Sequence, residues 1–290
     1  QVRLSIRIQF VSQFIYMSTI VLLILFEAHL LWFGVAYSLQ LIISGLGFMI
    51  LYRYERGGFQ LFTNNWTLQK KMINYGKYMI LAKLVFLATF IVDRFLIEHY
   101  INLEAVGFYT AALKMTTTWT FIASSISLSF ISVITSSETD QQKREQVQSM
   151  FGWITSCSII LIIPFYLFSE QLVDLLFGSG YYNTAEVFSI IIWALPFLLM
   201  NEGIKVWLVI IGETKYYVLI TGMTVVLIVL GNMFLTPIFI LKGAGYTFIA
   251  SWICGSTLFL LMFKKTRELG FITLKSFLFP YQLLKKILND

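Results

Sequence analysis

Runs of 18 or more predominantly apolar residues recur along this sequence, and each is long enough to cross a bilayer as a helix. The first two such runs cover residues 6–26 and 30–52. About 20 apolar helical residues span the roughly 30 Å of hydrocarbon in a membrane. The composition agrees, because 12% of the residues are charged whereas soluble domains carry roughly 25%. We therefore predict an all-α fold, a polytopic transmembrane helical bundle.

About eight spans are predicted, in two groups separated by a more polar stretch. Residues 59–77 form this stretch, which is expected to be a cytoplasmic or interfacial linker. It is either a short amphipathic helix in the headgroup plane or a plain loop. Pro196 is expected to kink the sixth span, because proline removes a backbone donor and clashes with the preceding turn. The spans after the linker are predicted at 78–97, 105–134, 151–168, 184–211, 216–235 and 244–263.

The basic residues of the loops indicate how the bundle is oriented. With the predicted spans, one set of alternate loops holds every loop lysine and arginine except Lys242. Cytoplasmic loops carry an excess of Lys and Arg, so this set is predicted to face the cytoplasm. Lys143 and Lys264 are then inside, and Glu98 and Asp174 are outside. The net charge of +6 follows from this topology and does not indicate a nucleic-acid partner.

Four charged residues lie within or at the ends of the third and fourth spans. These are Lys83, Asp93, Arg94 and Lys114. A charge at membrane depth is costly, so it normally faces a bundle interior or a wet cavity. Eleven helical residues bring Arg94 to within about 20° of Lys83 around the axis, so both share a face. The alternative is that the long side chains reach out to the membrane interface.

The sixth span carries a second charged pair, and the fourth is rich in hydroxyls. Glu202 and Lys205 are three residues apart and can pair on one helix face. This pair either serves a site or neutralises itself where the helix passes the interface. Thr117, Thr120 and Ser124 belong to the polar middle of the fourth span. Their hydroxyls can bond between helices or contact the hydroxyls of a sugar.

Catalytic signatures are missing from the sequence. It contains no nucleotide-binding glycine loop, no serine-hydrolase elbow and no zinc-protease motif. Cys157 and Cys254 stand alone in apolar runs, without metal-ligand or redox spacing. We therefore predict neither catalytic residues nor a metal or other cofactor. A transporter is favoured over an enzyme.

Two stretches carry a family resemblance. They are residues 93–97, DRFLI, and 104–114, EAVGFYTAALK. With the weaker motifs GETK at 212–215 and KGAG at 242–245, they make residues 64–263 similar to one family. This is the polysaccharide transporter branch of the multidrug/oligosaccharidyl-lipid/polysaccharide exporter superfamily, which includes Wzx-type O-antigen flippases and other lipid-linked oligosaccharide flippases.

The resemblance implies two six-helix lobes around a central cavity. Residues 1–58 are then the last two helices of an N-terminal lobe, and residues 78–263 form a six-helix C-terminal lobe. Residues 264–290 are a basic cytoplasmic or interfacial tail. The first four helices of the N-terminal lobe are expected to be missing from this chain.

The resemblance also implies a function. It predicts a flippase that moves undecaprenyl-diphosphate-linked oligosaccharide, an O-antigen or exopolysaccharide unit, across the bacterial cytoplasmic membrane. Transport would use alternating access and be coupled to an ion gradient. Expected partners are this lipid-linked substrate, membrane lipids, a polysaccharide polymerase and chain-length proteins. The alternatives are a drug or small-molecule antiporter of the same superfamily and a membrane polysaccharide polymerase.

A flippase for such a substrate needs cations for the diphosphate and hydroxyls or aromatic rings for the sugars. Lys83, Arg94, Lys114 and Lys205 are the predicted cations of the cavity. Asp93 is expected to orient Arg94. The remaining supporting residues are predicted to be Glu202, Thr117, Thr120 and Ser124.

Overall fold

The structure, a computed structural model, describes residues 2–56 and 66–280, except the side chains of 2–6, 30, 54–56, 68, 71, 72, 74 and 75. Every regular element within these ranges is a helix, which confirms the all-α fold class. The first part of the predicted linker, 59–65, and the end of the predicted tail, 281–290, lie outside the described residues. The chain divides into two compact units, Gln1–Gln69 and Lys70–Asp290.

The first unit is a helical hairpin. It consists of α1 (Val2–Leu25) and α2 (Leu30–Arg56). Glu27, two residues after the end of α1, has a φ of 48°, and the neighbouring Ala28 N–H donates to Leu23 O at 2.9 Å. A Cβ on Gly47 would lie 2.5 Å from Ile8 Cγ2, so this glycine lets the two helices approach closely.

The second unit is a bundle of longer and shorter helices. Short 3₁₀ turns lie at Ser179–Tyr181, Ile192–Ala194 and Ser276–Leu278, and Cys254–Leu258 forms a π-helical turn between α11 and α12. The first helix, α3, starts just before the boundary between the units. The helices are α3 (Trp66–Tyr100), α4 (Leu103–Thr117), α5 (Thr120–Ser136), α6 (Asp140–Leu167), α7 (Ser169–Phe177), α8 (Tyr182–Ile191), α9 (Leu195–Ile210), α10 (Thr214–Phe239), α11 (Leu241–Ile253), α12 (Phe259–Met262) and α13 (Arg267–Lys275).

Among the described residues, seven stretches are long and apolar enough to cross a membrane. The predicted third span, 78–97, is not one of the seven, and it carries Lys83, Asp93 and Arg94 inside α3. The polytopic bundle is thus confirmed with seven candidates where about eight spans were predicted. The seven are Arg7–Leu25, Leu31–Arg53, Leu103–Ser136, Asp140–Leu167, Ser179–Ile210, Thr214–Phe239 and Leu241–Met262.

Two of the predicted spans are interrupted. Where one helix was predicted over 105–134, α4 ends at Thr117 and α5 begins at Thr120. The Thr118 hydroxyl donates to Lys114 O at 2.7 Å, so a side chain competes for the backbone groups at the break. The predicted span 184–211 tightens into a 3₁₀ turn at Ile192–Ala194, which ends two residues before Pro196.

Two helical segments lie in connections between the predicted spans, where loops were expected. α6 begins at Asp140 because Thr139 and Gln142 form a capping box, in which the Thr139 hydroxyl accepts from Gln142 N at 3.2 Å. α7 occupies much of the stretch that was expected to be a loop at 169–183. Residues 66–77 are helical and continue directly into the predicted third span.

Two ion pairs connect helix ends at one end of the second unit. Arg144 Nε lies 2.6 Å from Glu268 Oε1, and Lys265 Nζ lies 3.1 Å from Glu213 Oε1. These pairs bring together the start of α6, the α9–α10 turn and the start of α13. The hydrogen bond from Lys265 and the charge of Lys215 hold the pKa of Glu213 below its usual range.

Contacts at the opposite helix ends join the remaining connections. Lys242 Nζ lies 2.6 Å from Glu186 Oε1, and the Phe108 and Tyr181 rings are 5.6 Å apart. The α3–α4, α7–α8 and α10–α11 connections therefore meet, separately from the more basic ones. This grouping agrees with the predicted alternation of the loops.

Which group of connections faces the cytoplasm stays a prediction. We expect Lys143→Cys and Lys264→Cys to resist an impermeant thiol reagent in right-side-out vesicles, and Glu98→Cys and Asp174→Cys to react. The background would first lose the two native cysteines, Cys157 and Cys254. Permeabilised vesicles give the control for total reactivity. Labelling at position 143 with protection at position 174 would reverse the orientation.

Candidate functional site

A cavity of about 280 Å³ lies between α3, α9 and α10 of the second unit. We call it the lysine pocket. Its polar wall consists of Lys83 from α3, Glu202 and Lys205 from α9, and Thr214 and Tyr217 from α10, and the remaining lining is apolar. Because Thr214 is the first residue of α10, the pocket lies at the end of the bundle that carries the Glu213 ion pairs.

The two lysines of the lysine pocket differ in whether a carboxylate neutralises them. Lys205 donates a hydrogen bond to Glu202, as their spacing predicted, and Ser124 Oγ donates to the same carboxylate at 3.3 Å. Lys83 Nζ instead lies 5.4 Å from the centre of the Phe86 ring. No carboxylate in the described part of the chain forms an ion pair with Lys83. With all three groups ionised, two lysines and one glutamate leave an excess positive charge for an anion.

Two residues that were not predicted from the sequence fix the wall of the pocket. Asn201 Nδ2 donates to the Tyr217 hydroxyl at 2.9 Å, and both side chains are buried. This bond links α9 to α10 directly beside Glu202. The sequence feature that could have indicated this bond is an asparagine inside an apolar run, because a buried side-chain amide needs a hydrogen-bond partner.

Asp93 belongs to a separate buried network. Its carboxylate accepts from the Tyr109 hydroxyl and from Asn232 Nδ2, both at 2.8 Å. Thr236 Oγ1 in turn donates to Asn232 Oδ1 at 2.8 Å. All four side chains are buried. The network therefore ties α3, α4 and α10 together through hydrogen bonds to one carboxylate.

The structure brings together some of the predicted site residues. Lys83, Lys205 and Glu202 share the lysine pocket, with Ser124 bonded to Glu202. Arg94 does not line it, since eleven residues of α3 place it about 16 Å along the axis from Lys83.

The other predicted residues lie elsewhere. Lys114 and Arg94 are both exposed, and neither forms an ion pair with a described residue. Asp93 contacts Tyr109 and Asn232. Thr120 Oγ1 donates to Thr117 O at 2.7 Å, so these two threonines bond to each other at the α4–α5 break.

The residues of the lysine pocket are chemically suited to binding an anion. Within residues 2–56 and 66–280, no group of three His, Cys, Asp or Glu side chains is arranged to hold a metal ion. The pocket instead offers two ammonium groups, and Lys83 has no carboxylate partner among the described residues. Such groups bind an anion by charge-assisted hydrogen bonds. The fold and this pocket together define a multi-pass helical membrane protein with a cationic cavity.

The comparison with protein families gives the biological setting. The family model described as polysaccharide biosynthesis protein matches residues 4–186, which is more than half of the chain. The chain therefore belongs to the polysaccharide biosynthesis protein family, and this confirms the resemblance seen in the sequence. No curated protein and no solved structure matches it. This multi-pass membrane protein therefore has a role in polysaccharide biosynthesis.

Proposed function

We propose that this protein is a flippase, without catalytic activity of its own, for undecaprenyl-diphosphate-linked oligosaccharide in the bacterial cytoplasmic membrane. The observation that carries the proposal is the lysine pocket, where α3 and α9 each direct an ammonium group into one cavity. Family membership supports the oligosaccharide part of the substrate. The substrate would cross by alternating access, driven by an ion gradient.

The lysine pocket suits a diphosphate for an electrostatic reason. Holding a charged lysine in an apolar environment without a carboxylate partner is unfavourable in free energy. A phosphate that binds the lysine compensates for this unfavourable term. Lys83 is in this situation, and its packing on the Phe86 ring keeps the ammonium group at the cavity wall. The diphosphate is therefore the part of the substrate that this pocket would hold.

The position of the pocket supports loading from one side. It lies at the end where Glu213 pairs with Lys265, and the charge asymmetry predicts that this end is cytoplasmic. Arg94 lies farther along α3, toward Tyr100. We propose that Arg94 and Lys114, both exposed and without described ion pairs, contact the diphosphate later on its route.

The test is translocation of a fluorescent undecaprenyl-diphosphate-linked oligosaccharide in liposomes that contain the purified protein. We expect Lys83→Gln and Lys205→Gln each to lower the initial rate about tenfold, as the loss of a charged hydrogen bond predicts. Lys77→Gln is the matched control, since Lys77 lies on the same helix and Lys77 Nζ is 5.2 Å from the Tyr78 ring centre. The Lys77 variant should keep the unmodified rate.

Two results would contradict the proposal. One is an unmodified protein that leaves the lipid on its original side while a small cationic dye crosses, which favours the drug antiporter. The other is a Lys83→Gln variant that is folded and translocates the lipid at the unmodified rate. Elongation of the oligosaccharide by the purified protein would instead indicate a polymerase.

A further inference from the structure

A second polar cavity lies in the first unit, between α1 and α2. It has a volume of about 510 Å³. We call it the amide pocket. Five of its lining residues are uncharged and polar, and Phe10 and Phe48 supply the rest. The polar five are Gln9, Ser12, Gln13, Gln40 and Ser44.

Such a cluster is unusual on two helices that are apolar enough to cross a membrane. Arg7–Leu25 and Leu31–Arg53 are candidate spans, and the five polar residues lie within them. Amide groups that lose water without gaining partners are costly in hydrocarbon. The hydrogen bonds inside the pocket therefore decide whether it is complete by itself.

The amide pocket leaves several polar groups available. Gln40 Nε2 donates to Gln13 Oε1 at 2.5 Å. Within the described residues no other group bonds the Gln13 side-chain amide hydrogens or the Gln40 side-chain carbonyl oxygen, so both can bond a ligand. The Gln9 amide has no hydrogen bond within the described residues. Ser12 and Ser44 donate to the backbone at Gln9 O and Leu41 O, so their oxygens can still accept.

This inventory fits a neutral sugar. Sugar hydroxyls both donate and accept, and the free groups of the pocket offer donors and acceptors side by side. Phe10 and Phe48 are partly exposed and can pack against the C–H face of a sugar ring. None of the described side chains that line the pocket is charged. A phosphate or an ammonium group would therefore find no counter-ion there.

We propose that the amide pocket binds neutral sugar residues of the transported glycolipid. The inference rests on the proposed flippase function and extends it to the recognition of the oligosaccharide. The competing explanation is that the amides only bond neighbouring helices to each other. A packing role does not depend on whether the transported lipid carries a sugar, and this difference makes the two explanations separable.

The experiment compares two tail-labelled lipids in liposomes, undecaprenyl diphosphate with and without a neutral oligosaccharide. Gln13→Leu and Gln40→Leu should each slow the glycosylated lipid about tenfold, as expected for one or two lost hydrogen bonds. The sugar-free lipid should move at an unchanged rate. Lys83→Gln, in contrast, should slow both lipids.

Two smaller substitutions control for the possibility that the glutamine variants misfold. Ser44→Val removes a hydroxyl that lines the pocket, and Ser38→Val removes one on the same helix outside it. Both hydroxyls donate to the backbone, Ser44 to Leu41 O at 2.9 Å and Ser38 to Gly34 O at 3.0 Å. Only Ser44→Val should slow the glycosylated lipid selectively.

Direct binding separates failure of this inference from failure of the flippase proposal. Saturation-transfer NMR with a free neutral oligosaccharide should show contact with the detergent-solubilised protein, and Gln13→Leu should weaken that contact. The inference is overturned if both lipids slow equally in the glutamine variants, if neither slows, or if the sugar shows no contact. The flippase proposal alone fails if the sugar binds but no lipid crosses.

Discussion

Replacing Gly243 with Ala should destabilise the protein by about 3 kcal/mol or more, at the upper end of the effects of overpacking. A Cβ at this position would lie 2.5 Å from Leu235 C and 2.8 Å from Thr236 N. These are backbone atoms of α10, so no side chain can rotate away. Since only Ile240 separates α10 from α11, the connection has little freedom to adjust.

The matched control for Gly243→Ala is a glycine in the same helix pair. Gly222 lies in α10 with nothing within 4 Å of its Cβ position. Gly222→Ala should be neutral or stabilising by up to about 1 kcal/mol, because alanine favours helix. The monodisperse yield and the thermal midpoint in detergent measure both variants. Equal midpoints for the two would show that the close approach at Gly243 does not exist.

Replacing Asp93 with Ala should lower the stability by about 2–5 kcal/mol. The change removes the acceptor for the Tyr109 hydroxyl and for one of the two Asn232 amide hydrogens, while Asn232 Nδ2 keeps its bond to Ile228 O. Each buried donor hydrogen left without a partner costs about 1–3 kcal/mol. Asp93→Asn should be milder, since it keeps one carbonyl acceptor and the side-chain volume. Glu98→Ala, an exposed carboxylate on the same helix, should have little effect.

Thermal unfolding in detergent separates these three variants. The expected order of midpoints places Glu98→Ala highest, Asp93→Asn next and Asp93→Ala lowest. An Asp93→Ala variant as stable as Glu98→Ala would mean that the network does not hold α3, α4 and α10 together.

The spans were predictable because lipid burial is visible in composition. A helix surrounded by hydrocarbon is apolar over its whole length, so the run itself marks it. The interruptions were harder to predict. The break after Thr117 depends on hydroxyls that bond to nearby carbonyls, and the same residues also occur in unbroken membrane helices. The start of α6 was readable from Thr139 and Gln142, whose spacing is that of a capping box.

The site was predictable only in part. Lys83 and Lys205 were identified because a charged side chain inside an apolar run is costly at membrane depth and normally faces a bundle interior or a cavity. Their meeting in one pocket depends on how α3 and α9 are placed around the same cavity, which residue spacing does not encode. The same holds for Asp93, whose partner Asn232 is 139 residues away in the chain. Helical periodicity relates residues on one helix, whereas the network joins three helices.

The bond between Glu202 and Lys205 bears on the return half of a transport cycle. In a carrier of the proposed kind, an arriving phosphate has to compete with the Glu202 carboxylate for the Lys205 ammonium group. In such a carrier, this competition would lower the affinity for the phosphate and speed its release. After release, the carboxylate would neutralise the lysine again, so the empty pocket would carry less uncompensated charge. An unloaded carrier can then reset across the membrane at a lower electrostatic cost than one with two unpaired lysines.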